Sequence, residues 1–503
     1  MKLKKLMAAA LLAVMAVVTA YPTGVAEAAE INSYTYNYDY WDTEYESPDA
    51  YQPTDYIDGR TLGTTPIRQP KGMFIQGNSI YVVDTGNNRI LEILVEGETT
   101  TLVREITEVV GDLEVLTLSA PQDVYVTEEG DLYITDQGNG RILHLDKNLN
   151  VIKTILRPVD PLINQENPFE PSKLVVDRAG RIFAIAKNIN NGVMQFEPDG
   201  EFVGFIGASD VIFSMSDYIK KIFSTKAQRD QMVDFVPTEY NNIYIDNKSF
   251  IYVTTEVFTE EDLTSGTAKP IRKLNSLGDD ILIRNGENPP IGDVRWDSAA
   301  GMNGPSRFVD ITAMEDETYY VVDRVRGHIF GYDEQGHLLY AFGGPGNKLG
   351  YFMYPISIEH IGTDLFVLDM TTGGITRFAR TEFGELIHSA LAEYDVGDYD
   401  ESAAYWTEVL NRNGNYELAY IGIGRSLLRK KDYEGAMKYF ETMRDEGNYS
   451  RAWKYYRKDW IENNLGRVLV IFIVICFIPV VIGKVKKIRW EAKEQYERES
   501  KGK

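Results

Sequence analysis

One repeat limits what this chain can fold into more than any other feature. Residues 70–90 read Pro70-Lys-Gly-Met-Phe-Ile-Gln-Gly-Asn-Ser-Ile-Tyr-Val-Val-Asp84-Thr-Gly-Asn-Asn-Arg89-Ile. They return as Pro121-Gln-Asp-Val-Tyr-Val-Thr-Glu-Glu-Gly-Asp-Leu-Tyr-Ile-Thr-Asp136-Gln-Gly-Asn-Gly-Arg141-Ile. Each copy gives a short β-branched strand, a turn, a second alternating strand, then Asp-x-Gly-Asn-x-Arg-Ile leading into a third. Weaker copies run from Pro171 through Asp177 and Gly180 to Ala186, from Asn241 to Thr255, from Phe308 to Asp323 and from Pro355 to Asp369. Together they make six units, and repeated four-stranded units of this kind close radially into an all-β propeller that leaves only short, protected edges.

The two Asp-x-Gly-Asn-x-Arg-Ile segments resemble the NHL-repeat family, and Phe342-Gly343-Gly344-Pro345-Gly346, running on to Phe352 and Pro355, is similar to that family's connection between blades. The resemblance implies an NHL-like six-bladed β-propeller over residues 58–380. The third and fourth units carry Ala186 and Thr255 where the family has Asp, and the fifth and sixth carry His328 and Gly374 where it has Arg. Two insertions interrupt the pattern: a helix-like stretch at 209–236 and a Gly-, Pro- and Asn-rich stretch at 283–306. Long loops on a rigid scaffold carry binding or simply pack on one face, and both readings stand here.

The ends of the chain predict its location. Residues 1–29 read as a signal peptide, with Lys2, Lys4 and Lys5, an apolar Met7–Val18 and small residues at Ala26–Ala29. Residues 30–57 are acidic and Tyr-rich. Tyr34, Tyr36, Tyr38 and Tyr40 alternate as an extended strand with one aromatic face, which packs along the propeller or stacks on a sugar. Near the C-terminus, residues 468–483 are apolar, and Lys484, Lys486, Lys487 and Arg489 follow. Sixteen helical residues cover about 24 Å, and Arg467 and Lys484 extend the reach by snorkelling. Basic residues concentrate on the cytoplasmic side. The expectation is a transmembrane helix at 467–484, a basic cytoplasmic tail at 485–503 and a single-pass type I protein of the cell membrane, its bulk extracellular. The whole chain carries a net charge of −23 although the tail is basic, so the acidity lies outside and argues against a nucleic-acid partner. Cys476 is the only cysteine and falls inside the span, so no disulfide is available.

After Arg380 the period changes. Tyr399, Ser402 and Trp406 recur 34 residues later as Tyr433, Ala436 and Phe440. This resembles tetratricopeptide repeats and implies a small all-α tetratricopeptide-like segment at 383–463. Helices at 383–395 and 416–429 precede the two motifs, and a capping helix lies at 449–463. Such surfaces bind peptides or proteins, or here act as a spacer before the membrane.

The chemistry on offer is sparse. The five His residues include no pair at metal-ligand spacing, and no nucleophile elbow, phosphate loop or calcium loop is present. No catalytic, cofactor-binding or metal residue is assigned. Asp84, Asp136, Asp323 and Asp369 end equivalent strands. They either crowd around one mouth of the propeller and bind a divalent cation such as calcium, as in propeller lactonases resembling gluconolactonase, or serve their own turns. The pairs Asp84–Arg89 and Asp136–Arg141 favour the structural role, leaving Asp323 and Asp369 as channel-mouth candidates. The expected function is binding of an extracellular protein or glycan. Similar propeller, helix and span combinations accompany carbohydrate ABC importers in Gram-positive bacteria, which by resemblance implies an accessory role there. An exported hydrolase or lyase of lactonase-like type is the competing class.

Overall fold

Six inner strands begin at Gly72, Pro121, Glu170, Tyr240, Phe308 and Pro355, and each contacts the next around a closed ring, the last returning to the first. The computed structural model describes residues 34–207, 240–294 and 304–501, apart from positions 40, 42, 112–113, 161–162, 164, 257, 259–261, 264, 266 and 287. The expected signal peptide and the 209–236 insertion lie outside the described residues, as does the middle of the 283–306 insertion. The chain divides into two compact units, residues Met1–Gly384 and Glu385–Lys503.

The first unit is a six-bladed β-propeller. Blades one, two and three each have four antiparallel strands, running from Gly72 to Ile106, Pro121 to Ile155 and Glu170 to Ile206. Blade four shows three strands among the described residues, between Tyr240 and Leu274. Blade five spans Phe308 to Gly343 and is widened by two N-terminal strands, Thr35–Tyr38 and Glu44–Glu46. Blade six takes three strands from Pro355–Arg380 and its outermost strand, Tyr51–Ile57, from the opposite end of the chain. The ring is thus closed by hydrogen bonds between its two ends, with Tyr51–Ile57 covering the edge of Gly374–Arg380.

Packing between blades follows from the period-two pattern. In Tyr319–Asp323 and Leu365–Asp369 nearly every side chain is buried, because both faces of a middle strand meet a neighbouring sheet. Ile80, Val82, Leu91 and Ile93 of blade one meet Phe366, Leu368 and Ile375 of blade six in one such layer. At ~1.5–3 kcal/mol for each fully buried large apolar side chain, these layers are the main source of stability.

The second unit is helical: α1 Glu382–Val396, α2 Tyr399–Arg412, α3 Glu417–Arg429, α4 Tyr433–Thr442 and α5 Glu446–Lys501, with α1 starting in the last residues of the first unit. Asp398 and Asp432, 34 residues apart, cap α2 and α4 by accepting from the backbone N–H of Glu401 and Gly435. The cap expected at 449–463 and the expected span are one uninterrupted helix of 56 residues. It contains Pro479, whose missing N–H removes one helical hydrogen bond. This helix is long and apolar enough to cross a membrane, and its most apolar stretch is buried against nothing in the protein.

Candidate functional site on the propeller axis

The repeat itself explains where the four aspartates go. Asp84 accepts from Arg68 N at 2.8 Å, Asn87 Nδ2 at 2.8 Å and Arg89 Nε at 2.7 Å. Gly86 N in turn donates to Arg68 O at 2.8 Å. A Cβ on Gly86 would lie 2.6 Å from that oxygen, so the turn needs glycine to clamp the incoming strand. Blade two repeats the arrangement with Ser119 N, Asn139 and Arg141 around Asp136. Asp323 accepts from Ser306 Oγ and the N–H groups of Arg307 and Val325. Asp369 accepts from the N–H groups of Met353, Tyr354, Thr371 and Thr372. Each carboxylate is satisfied by its own turn and by the chain entering its blade. Among the described residues, no three His, Cys, Asp or Glu side chains are grouped to hold a metal ion.

The residues that converge are different ones. Five of the inner strands carry a bulge just after their start, before Asp123, Lys173, Asn242, Asp310 and Ser357; Gly72 holds the equivalent place in blade one. A bulge re-aims the side chain that follows it, and these six positions meet across blade boundaries. Lys173 Nζ lies 3.4 Å from Asp123 Oδ1, while Asp123 Oδ2 accepts from Leu174 N at 3.0 Å. Asp310 accepts from Asn242 Nδ2, from Ser357 Oγ at 2.6 Å and from Ile358 N at 2.8 Å. Ser357 Oγ also reaches Met73 O at 3.3 Å. Glu359, one step further along blade six, meets Thr312 Oγ1 at 3.4 Å. The space left among them is about 30 Å³, room for about one water.

One ammonium therefore serves three buried carboxyl groups. Burial pushes Asp123 up to about 6 against the pull of Lys173, and burial likewise raises Asp310. Glu359 is raised well above the usual range by burial and then by Asp310 and Asp123, which favours its protonated form. Burial opposes the charge on Lys173, yet Asp123 and Asp310 hold its ammonium above the ordinary value. The upward shifts on both sides of the pair are consistent, since a single cation cannot compensate three desolvated acids.

Around the starts of the inner strands, Lys71, Lys187 and Arg324 lie close enough to oppose one another's charge. Partial desolvation lowers Lys71, and Lys187, Arg324 and Lys173 lower it further. Arg324 is bonded to Glu256, but Lys71 meets only Met370 Sδ at 3.5 Å and Lys187 only Gln137 Oε1 at 3.4 Å among the described residues. None of these axial and mouth residues was singled out from sequence. The available signal was a polar residue or glycine one or two places after the first residue of each inner unit, where alternation alone predicts core.

The Tyr-rich segment and the 283–306 insertion meet each other. Tyr36 Oη donates to Asp293 Oδ1 at 3.0 Å and lies 2.8 Å from His328 Nδ1, which is 2.9 Å from Asp293 Oδ2. Tyr38 Oη also donates to Asp293. Burial works against this carboxylate, but its bonds to His328 and Tyr38 hold it below the usual range. His328, where the repeat has Arg, thus anchors an added strand and loop to blade five.

No family model matches the chain, and no curated protein is similar to it. Solved structures similar to it include virginiamycin B lyase from Staphylococcus aureus, with 11% identity, a TM-score of 0.40 and coverage of 66% of this chain and 100% of that one. An auxiliary nutrient binding protein from Bacteroides ovatus has 13% identity and a TM-score of 0.39, covering 70% of this chain and 76% of its own. A protein of unknown function from Bacteroides thetaiotaomicron has 12% identity and a TM-score of 0.40, covering 67% and 78%. At these identities the likeness says nothing about activity.

Proposed function

We propose that the chain is a membrane-anchored, extracellular binding and scaffold protein that recognises a protein or glycan. In this reading the propeller is NHL-like, α1–α4 form a tetratricopeptide-like stalk and α5 provides a single type I span, following a cleaved signal peptide. The observation that carries the reading is the axis. Lys173 pairs with Asp123 and Asn242 donates to Asp310 where a propeller enzyme would place reacting groups, so these polar groups are engaged with one another across the axis. What remains for a ligand is surface: the basic mouth, the seam of blade six and the added strands of blade five. The reading requires no cofactor, and an accessory role in carbohydrate ABC import is compatible with it.

The test is made on intact cells with the full chain carrying a tag after residue 503. The reading expects added protease to cleave the propeller and spare the tag, and expects crosslinking from the propeller to recover a surface glycan or a transporter component. A tag cleaved while the propeller stays protected would overturn it. So would catalytic turnover that Lys173→Met abolishes while the fold survives.

A further inference from the structure

We propose that the seam of blade six holds a subsite for one acidic sugar residue; this deepens the glycan half of the reading above and rests on it. Blade six has Gly374 where the repeat has Arg, and the strand that closes the ring crosses that gap. A Cβ on Gly374 would collide with the Tyr56 hydroxyl and Cζ, so the Tyr56 ring occupies the space the repeat gives to an Arg side chain. Beside it the connection Gly344–Phe352 folds back on itself. Phe352 N donates to Gly344 O at 2.9 Å, Gly346 N to Phe352 O at 2.9 Å and Tyr351 N to Lys348 O at 2.9 Å.

These two departures from the repeat border a cavity of about 260 Å³ whose lining includes Tyr56, Asn347, Lys348, Tyr351, Thr372 and Thr376. That is the volume of roughly nine waters. It falls short of the ~300–1,000 Å³ typical of sites for larger ligands, so it suits a single sugar ring. The lining is what a sugar requires. Among the described residues, the Tyr56 hydroxyl, the Asn347 amide and the Thr372 and Thr376 hydroxyls have no hydrogen-bond partner, and they converge with aromatic carbon on one space. Lys348 specifies the charge: its Nζ sits 4.0 Å from the centre of the Tyr351 ring and, among the described residues, meets no carboxylate. Asp369 also lines the cavity, but its oxygens are spent on four backbone N–H groups. A sugar bearing a carboxylate satisfies the ammonium and the hydroxyls together.

The experiment is saturation-transfer NMR and titration of the full chain in nanodiscs, with sodium glucuronate, glucose and inorganic phosphate as probes. Glucuronate binds in preference to both others if the subsite exists. Lys348→Met, an exposed substitution, weakens glucuronate on the order of tenfold or more, as expected for losing a charge-assisted hydrogen bond. Tyr56→Phe weakens both sugars by about threefold with the fold intact. Phosphate binding as well as glucuronate overturns the inference, and so does glucuronate binding that neither variant affects. Glycan capture by cells carrying Lys348→Met at the unsubstituted level also sinks this subsite while leaving the binding function standing. Capture of a protein alone, with no saccharide bound, sinks it too.

Discussion

Gly72 leaves open the space into which Asp123 and Lys173 extend: a Cβ at residue 72 would stand 2.7 Å from Asp123 Oδ1 and 3.3 Å from Lys173 Nζ. Five inner strands present a side chain at this position, and the first presents none. Asp123 cannot easily yield, because its other oxygen is held by Leu174 N across the blade boundary. The carbonyl of Gln122, at 3.1 Å, blocks the remaining direction. Gly72→Ala therefore destabilises the propeller by about 1–3 kcal/mol, read as a lower midpoint of its near-ultraviolet circular dichroism transition. An unchanged midpoint would mean that the axial pair is looser than described.

The same cluster sets a pH dependence with a definite sign. Asp123, Asp310 and Glu359 all have folded pKa values above their unfolded ones, Asp123 at about 6. Between the unfolded value near 4 and the folded value, the native state binds more protons than the unfolded state, so stability falls as pH rises through that window. The groups that face Glu359 are Asp310, Asp123, Lys173 and Thr312, together with Tyr125 and Tyr244. Glu359→Gln keeps the shape and removes one of the three acids. It should raise the midpoint at pH 8, where the native protein is most penalised, and flatten the slope between pH 5 and 8. A variant with the parent's slope would show that Glu359 does not titrate with the fold.

Asp293 works in the opposite sense. Its folded pKa lies below the ordinary value, so its contribution is present above about pH 4 and is lost only as pH falls through the depressed value. It is also the point at which Tyr36, Tyr38 and His328 meet. Asp293→Ala leaves those groups buried without their acceptor, at a cost of ~1–3 kcal/mol. The loss should be local, with proteolysis near Trp41, on the segment between the two added strands, accelerating well before the propeller unfolds. Cleavage there at the parent rate would mean that the backbone pairing of Thr35–Tyr38 with Leu338–Gly343 suffices on its own.

How much of this was readable beforehand depended on sequence distance. The Asp84 turn was legible because Asp84, Gly86, Asn87 and Arg89 lie within six residues and their bonds close locally. The closing strand was not: Gln52, Pro53, Thr54 and Asp55 break the apolar alternation, and Tyr51–Ile57 pairs with residues more than 300 positions away. The axial cluster fails for the same reason, since Asp123 and Glu359 come from different blades and each looks alone like an ordinary polar residue. Gly374 and His328 were noticed as departures from the repeat. Their meaning is supplied by Tyr56 and Asp293, which no local pattern connects to them.

In the helical unit the 34-residue period has a packing cause that can be tested on one glycine. Trp406 of α2 and Phe440 of α4 are both buried, and each lies on a glycine of α3. A Cβ on Gly422 would fall 2.6 Å from Trp406 Cδ1, and one on Gly424 2.6 Å from Phe440 Cε1. Helix propensity by itself predicts that Gly422→Ala stabilises α3 by about 1 kcal/mol. Overpacking against the indole predicts a loss of about 1–3 kcal/mol, and the indole is the stiffer term because Trp406 is buried between α2 and α3. The net effect should be destabilising in the far-ultraviolet transition of the helical unit. Combining it with Trp406→Phe, which vacates part of the indole's space, should recover some of the loss, a coupling of ~0.5–3 kcal/mol between touching residues. If Gly422→Ala stabilises the unit, or if the two substitutions simply add, α2 and α3 do not pack through this contact and the period has another origin.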